Sequence, residues 1–232
     1  GIVGSTAEVS TNRKLLTFIK NNSPNFYFVN WSKSKICHYS IKMMIKRNSP
    51  EIQQLNRKII LADGVIIATP EHNHTVPAGL KSVLEWLSFK IHPLENKPVM
   101  VVGASYYDQG TSRSQLHLRQ ILDAPGVNAL VMPGNEFLLG KSKEAFDEDG
   151  NLIDQRTIDF LGSTLASFVK FINVVSALAG PKQLPPEDLH ATGKIATTVE
   201  GVDMSDDQWL EKAAEAVGAV SGNTYVQLNL DY

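Results

Sequence analysis

Val65-Ile66-Ile67-Ala68-Thr69-Pro70-Glu71-His72-Asn73-His74-Thr75-Val76-Pro77 is the stretch on which the fold of this chain turns. Val65 to Ala68 is an unbroken apolar run, the signature of a central parallel strand buried on both faces. Thr69 to Pro77 is a polar, proline-bounded loop. Behind it Leu80, Val83, Leu84 and Leu87 return at helical spacing. A buried strand feeding a tight polar loop and then a helix is where open α/β proteins put their ligand. From these residues alone, the loop is open to a cofactor, a metal or nothing.

The same alternation extends in both directions. Upstream, Gly1-Ile2-Val3-Gly4 reads as the last half of a strand, and the missing initiator Met points to residues removed or absent before it. A polar loop from Ser5 to Thr11 follows, then a helix from about Asn12 that buries Leu15, Leu16, Phe18 and Ile19 and stops at Asn21-Asn22-Ser23-Pro24. Phe26 to Val29 is a second strand, and the Lys-rich residues from Lys33 to Arg47 form a long surface loop. Ser49-Pro50 caps a helix carrying Ile52, Leu55, Ile59 and Ile60. Downstream, Pro98 to Gly103 is a fourth strand, followed by a polar loop to Ser112 and a helix using Leu116, Ile121 and Leu122. Val127 to Met132 is the fifth strand. Asp147-Glu148-Asp149-Gly150 is a turn, and Ile158, Leu161, Leu165, Phe168 and Ile172 mark one long helix face.

Strands and amphipathic helices in strict alternation specify an α/β fold with a doubly wound parallel sheet of five strands. Right-handed crossovers make 2-1-3-4-5 the expected order, in which the loops after strands 1, 3 and 4 meet at one edge. Residues 1–180 form this domain. Residues 181–232 read as an extension: a proline-bearing linker to about Met204, a helix capped by Ser205 with Trp209, Ala213, Val217 and Val220 on one stripe, and a strand over Thr224, Val226, Leu228 and Leu230.

The composition excludes several classes. Of 232 residues, 22 are Lys or Arg and 24 are Asp or Glu. A net charge of -2 gives no electrostatic case for nucleic acid or an anionic membrane. The single cysteine, Cys37, forms no internal disulfide and suits a reducing cytoplasm. No apolar run approaches the ~18 residues of a membrane span; Phe168 to Ala179 comes closest and is broken by Lys170, Asn173 and Ser176.

Three loops carry candidate chemistry. Ser5, Ser10, Thr11 and Asn12 stand at a helix N-terminus, where open N–H groups and the dipole favour a phosphate. The loop lacks the G-x-G-x-x-G fingerprint, and Gly134 to Gly140-Lys141-Ser142 misses the P-loop spacing by one residue. Gly103 to Tyr107 fails the nucleophile elbow, because Tyr107 stands where the second glycine belongs. In the second loop, His72 and His74 are two ligands where a stable metal site needs more. Ser105, Tyr106, Tyr107 and Gly110 in the third loop set aromatic rings beside hydrogen-bonding groups; the plain reading is a solvated loop.

Together the loops resemble the NADPH-dependent FMN reductase family of flavodoxin-like proteins. The family's first loop, G-S-L-R-x-x-S-x-N-R, is matched by Gly4, Ser5, Ser10, Asn12 and Arg13. Its second, T-P-E-Y-N-H-S-V-P-x-x-L-K-x-x-x-D-W, is matched by Thr69, Pro70, Glu71, Asn73, His74, Val76, Pro77, Leu80, Lys81 and Trp86. Its third leads into R-x-Q-x-x-L-R, matched by Gly110, Arg113, Gln115, Leu118 and Arg119. The likeness spans about residues 1–175.

That resemblance implies FMN as cofactor and NADPH or NADH as co-substrate, with hydride passing through the flavin to a small-molecule electron acceptor such as a flavin or quinone. Ser5, Ser10, Thr11 and Asn12 would hold the phosphate. Pro70, Glu71, His72 and Asn73 would follow the isoalloxazine edge, and Ser105, Tyr106, Tyr107 and Gly110 would flank it. The cofactor supplies the redox chemistry, so no side chain is required as acid or base. Two positions depart from the family: Ala7 replaces an arginine, for which Arg13 is the available substitute, and His72 replaces a tyrosine. Glu71 reads either as a general base or, in this family's setting, as a structural acceptor in its turn. Lys33 to Arg47 reads as a solvated loop or as charge for a 2′-phosphate. Relatives pair around the Trp86, Leu87 and Phe89 region, which implies a homodimer or homotetramer. Two other readings stay open: an electron carrier or redox-sensing module with little turnover, and a phosphate-ligand module without flavin.

Overall fold

The computed structural model describes residues 1–5, 7–23, 50–134, 136–179, 198–199 and 202–203. The chain divides into two compact units, Gly1–Pro181 and Lys182–Tyr232. In the first, β1 (Ile2–Val3) leads to α1 (Thr11–Asn22), α2 (Pro50–Leu61), β2 (Val65–Ala68) and α3 (Ala78–Trp86). Then follow β3 (Pro98–Ala104), α4 (Ser112–Asp123), β4 (Leu130–Val131), β5 (Phe137–Leu139) and α5 (Gln155–Ala179). In the second unit, Thr198–Val199 (β6) pairs antiparallel with Val202–Asp203 (β7), inside the stretch expected to be a linker. The strand expected over Phe26–Val29, the loop over Lys33–Arg47, and the helix and strand after Ser205 lie outside the described residues.

The sheet of the first unit is parallel in every pairing. β1 joins β2 with Ile2 opposite Ile67, β2 joins β3 with Val65 opposite Val99, and β3 joins β4 with Pro98 opposite Leu130. β5 then pairs the far end of β3, Val102 opposite Phe137. Side chains alternate across this sheet, and the two sets enter separate cores. Val65, Ile67, Val99 and Val101 pack with α2, α3 and α4 through Leu55, Leu84 and Leu118. Ile66, Ala68, Met100 and Val102 pack with α1 and α5 through Leu15, Ile19, Leu161 and Phe168. All seven residues of β3 are buried, as a strand with helices on both faces must be.

Four details differ from the pattern read in the sequence. The strand expected over Val127–Met132 pairs only at Leu130–Val131. Its first residues close the end of α4 instead: Val127 and Asn128 donate N–H to Ala124 O, and Ala129 donates to Leu122 O. After Gly134, at φ +84°, the ladder resumes at Phe137–Leu139 along the same neighbour, β3. In α4, Leu116 is 55% exposed, because the inward positions are taken by Ser114, Gln115, Leu118 and Leu122. At the end of α3, Leu87 belongs to the core and Trp86 packs against it, so Phe89 is the exposed residue of that trio. Finally, Gln155–Leu178 is long and apolar enough to cross a membrane by length and composition, its most apolar 18-residue stretch having mean hydropathy 1.5. An average over such a stretch tolerates Lys170, which a search for apolar runs does not. Leu161, Leu165 and Phe168 of this helix are buried in the second core.

Candidate active site

Three adjacent parallel strands deliver their loops to one edge, and the backbone ties those loops together. Gly4 N–H donates to Ala68 O at 2.7 Å, and Thr69 N–H donates to Val102 O at 3.0 Å. Ser105 N–H donates to Leu139 O at 2.9 Å. The crowding there leaves no room for side chains at key positions. A Cβ on Gly103 would lie 1.8 Å from Thr111 Oγ1 and 2.6 Å from Thr69 O, and one on Gly140 would lie 2.5 Å from Asp108 O. Gly110 meets the third loop's turn at φ +61°, a conformation that suits glycine.

In the first loop, Ser10 is the N-cap of α1, and its Oγ accepts from Arg13 N–H. The N–H groups of Thr11 and Asn12 donate to no acceptor among the described residues, so they stand as open donors at the positive end of the helix. The Thr11 hydroxyl accepts from Ser142 Oγ at 3.2 Å, which leaves its own proton to donate. Ser5 Oγ accepts from Ala7 N–H at 3.3 Å. Asn12 does something else with its side chain. Buried at 2% exposure, it donates Nδ2–H to Ala104 O at 2.8 Å and accepts Ala104 N–H on Oδ1 at 2.9 Å, locking α1 to the end of β3. Arg13 folds back, with Nη1 donating to Ala7 O and Glu8 O, and so stiffens the loop from within.

In the second loop, His72 and Thr75 exchange backbone hydrogen bonds of 2.9 and 3.0 Å, closing a turn. Asn73 and His74 sit at its centre with φ of 48° and 64°. The N–H groups of Glu71 and Asn73 donate to no acceptor among the described residues. The Glu71 carboxylate is committed to α4: its Oε2 accepts Arg113 N–H at 3.0 Å and Ser114 N–H at 3.2 Å. Its Oε1 lies 3.3 Å from His74 Nδ1 and 3.8 Å from Arg113 Nη1. Burial raises this carboxyl's pKa. The N–H of Ser114, His74, the N–H of Arg113 and the Arg113 charge outweigh that effect, and the net value falls below the ordinary 4.5. A carboxylate held in its charged form by helix donors is a structural acceptor. The imidazole of His72 is exposed at the turn's rim.

In the third loop, Tyr106 and Tyr107 are 51% and 80% exposed. Tyr107 N–H donates to Ser105 Oγ at 3.3 Å, and Tyr107 O accepts Gly110 N–H at 3.2 Å. Lys143 Nζ sits 4.6 Å from the centre of the Tyr106 ring.

Every sequence-derived candidate therefore stands on the same three loops, although Asn12 and Glu71 direct their side chains into the protein. Four contributors carried no assigned role in the sequence. Ser142, 1% exposed, joins loop one to loop three through Thr11 Oγ1 and Ser105 O. Ser114 and Gln115, fully buried, hold Pro70 O and Phe137 O. His117 Nδ1 meets Thr75 Oγ1 at 2.9 Å. The available signal for Ser114 and Gln115 was their register with Leu118 and Leu122: polar residues at inward helical positions need buried partners. Among the described residues, no group of three or more His, Cys, Asp or Glu is placed to hold a metal.

The donor set suits one kind of ligand. A phosphate needs open N–H groups and hydroxyls at a helix N-terminus, and a neutral heterocycle needs directed backbone donors; this edge presents both and few charges.

Comparison with known proteins agrees. Residues 1–144 match the family model described as NADPH-dependent FMN reductase. The NADH:(hydroxy)cinnamate reductase subunit CrdA of Vibrio ruber is 41% identical over 194 residues, which cover 81% of this chain and 93% of that protein. The NADH-dependent flavin reductase subunit 2 of Lactobacillus johnsonii is 38% identical over 181 residues, covering 74% and 95% respectively. Among solved structures, the flavoenzyme NAD(P)H:(acceptor) oxidoreductase FerB from Paracoccus denitrificans superposes with a TM-score of 0.66 at 25% identity, covering 74% of this chain and 94% of that one. Motifs, sheet edge and relatives converge: the chain belongs to the NADPH-dependent FMN reductase family and is an NAD(P)H-dependent, FMN-using oxidoreductase of flavodoxin-like fold.

Proposed function

We propose that FMN binds across the three loops and that the chain passes electrons from NADH or NADPH to a small-molecule acceptor of the flavin or quinone type. The observation that carries this reading is the pairing, on one sheet edge, of the open Thr11 and Asn12 N–H groups with the open Glu71 and Asn73 N–H groups. The first pair, with the Thr11 and Ser5 hydroxyls, takes the phosphate. The second pair faces the ring edge. Ser10 contributes as the cap that holds the first pair in place, and Asn12 through its backbone, since its amide is engaged with Ala104. Ser105, Tyr106, Tyr107 and Gly110 flank the ring. Bound FMN supplies the redox chemistry, two-electron transfer between nicotinamide and acceptor. The chain's own residues bind and orient. None is assigned as acid or base, because Glu71, the one carboxylate of the second loop, is held ionised by α4.

The deciding experiment is the visible spectrum of the purified protein, followed by consumption of NADH and NADPH with and without a quinone. A colourless protein that takes up no added FMN refutes the reading. A second reading has one observation in its favour: the two relatives that align over nearly their whole length are both named as subunits. In that reading the electrons leave to a protein partner, as in a carrier or redox module, and free quinone gives little turnover. The homodimer or homotetramer implied by the family remains part of the proposal, with exposed Phe89, Phe160 and Val174 as apolar surface available to it; gel filtration decides it. A cytoplasmic setting is proposed, where the NADH or NADPH that the reaction consumes is supplied and where a single cysteine stays reduced.

A further inference from the structure

The second loop holds two consecutive residues in a conformation that carries a cost. Asn73 and His74 lie in the left-handed region, which disfavours residues with a Cβ, and two in succession compound the cost. Beyond its own two backbone bonds between His72 and Thr75, the turn is held by one face of α4. At one foot of the turn, Ser114 Oγ donates to Pro70 O at 2.9 Å and lies 3.0 Å from Thr69 Oγ1, while Glu71 Oε2 receives the Arg113 and Ser114 N–H groups. At the other foot, His117 Nδ1 meets Thr75 Oγ1 at 2.9 Å. Over the middle, Arg113 Nη1 reaches His74 Nδ1 at 3.0 Å and is itself held by Gln109 Oε1 at 3.1 Å. Positions 113, 114 and 117 lie on one helix face, since neighbours three and four apart stack.

We propose that Arg113, Ser114 and His117 are positioning residues: with Glu71 they brace the Asn73–His74 turn, and this brace sets the affinity for the flavin ring and not for its phosphate. The inference rests on the FMN reading above and adds to it the origin of the ring-facing geometry. The phosphate donors belong to a separate set. Thr11 and Asn12 are tied to Ser142 and Ala104, and among the described residues neither shares a hydrogen bond with the brace. Glu71 immediately precedes the turn and Asn73 is its first central residue, so the directions of their N–H groups follow the conformation of the turn. Loosening the brace costs pre-organisation, and affinity falls for whatever part of the ligand those groups contact.

The test compares FMN with riboflavin, which carries the same ring without the phosphate. Dissociation constants are read by quenching of flavin fluorescence, with far-UV circular dichroism to establish folding and the visible dichroism of bound flavin as a ring-environment signature. E71A is expected to weaken both flavins by about tenfold or more, and by equal factors, since it removes a carboxylate bonded to two helix N–H groups. E71Q, which keeps an acceptor oxygen for α4, is expected to restore part of the loss. H117A, at an exposed position, is expected to weaken both by a smaller, again equal, factor and to alter the visible dichroism. T11A is the contrast, with FMN weakened more than riboflavin. The brace is refuted if folded E71A and H117A bind riboflavin as wild type does, or if their losses are confined to FMN. If E71A does not fold, E71Q and H117A decide by the same criteria. A wild-type protein that binds neither flavin overturns the cofactor reading and the brace with it, whereas normal wild-type binding with unmoved variants overturns the brace alone.

Discussion

Replacing Asn12 by alanine separates two roles that the sequence could not tell apart, phosphate ligand and internal clamp. Its amide makes reciprocal bonds of 2.8 and 2.9 Å to the C=O and N–H of Ala104, at 2% exposure. In N12A both backbone groups stay buried and lose their partners, at roughly 1–3 kcal/mol each. Freedom from ordering the side chain returns about 1 kcal/mol. The net expectation is a loss of about 1–5 kcal/mol. For a domain of this size that corresponds to a drop of about 2–20 °C in melting temperature, and to a lower denaturation midpoint with an unchanged slope. N12D serves as the companion: it keeps an acceptor for Ala104 N–H but sets a buried carboxylate against Ala104 O, and is expected to be no more stable than N12A. Urea titration of the flavin-free proteins measures both. The FMN-to-riboflavin affinity ratio of folded N12A is expected to stay near wild type, because the Asn12 N–H at the helix terminus survives the change. A stability loss below about 0.5 kcal/mol, within ordinary surface scatter, would refute the clamp, and a selective collapse of FMN affinity would return the side chain to the phosphate.

G103A is expected to cost about 3 kcal/mol or more and to lower soluble yield, since its Cβ would meet Thr111 Oγ1 at 1.8 Å and Thr69 O at 2.6 Å; thermal melts check this. The depressed Glu71 pKa makes a signed prediction. Its contribution is fully present above the ordinary value of 4.5 and is lost as pH falls through the lower folded-state value, so wild type loses stability on acidification there and E71Q lacks that component of the pH profile. H72Y, which restores the residue usual in the family, is expected to leave flavin affinity within about twofold at neutral pH, because the imidazole is exposed and makes no side-chain hydrogen bond among the described residues; a tenfold change, or an altered pH dependence of binding, would give His72 an active role.

Much of the fold is a matter of local pattern. Val65–Ala68 and Pro98–Ala104 are apolar without interruption because helices cover both faces of their strands, and that pattern is written in the residues themselves. The Asn21–Ser23 stop ends α1 in the same way, whereas the Ser10 cap, one residue before Thr11, falls in the stretch that the sequence pattern assigns to the polar loop. The loops at the sheet edge were legible too, since polar loops after buried strands follow from the winding. Legibility failed where one residue served two elements. Val127 and Ala129 are apolar and β-like, yet their N–H groups finish α4, so the strand shrinks to Leu130–Val131 and resumes at Phe137–Leu139.

At the site the division is the same. The sequence by itself placed Ser5, Ser10, Thr11, Asn12, Pro70–Asn73 and Ser105–Gly110 after buried strands whose right-handed crossovers lead their loops to one edge. Only the tertiary structure decided what each does there. Asn12 and Glu71 turn inward, one to Ala104 and the other to α4, because those backbone groups have no partner nearer in sequence. Ser114, His117 and Ser142 join the site from positions 42 to 131 residues away from their partners. Contacts at such separation depend on how layers stack, which no local spacing encodes. Thr69–Pro77 is thus a loop whose place was written in the chain and whose shape is held by a helix beyond it.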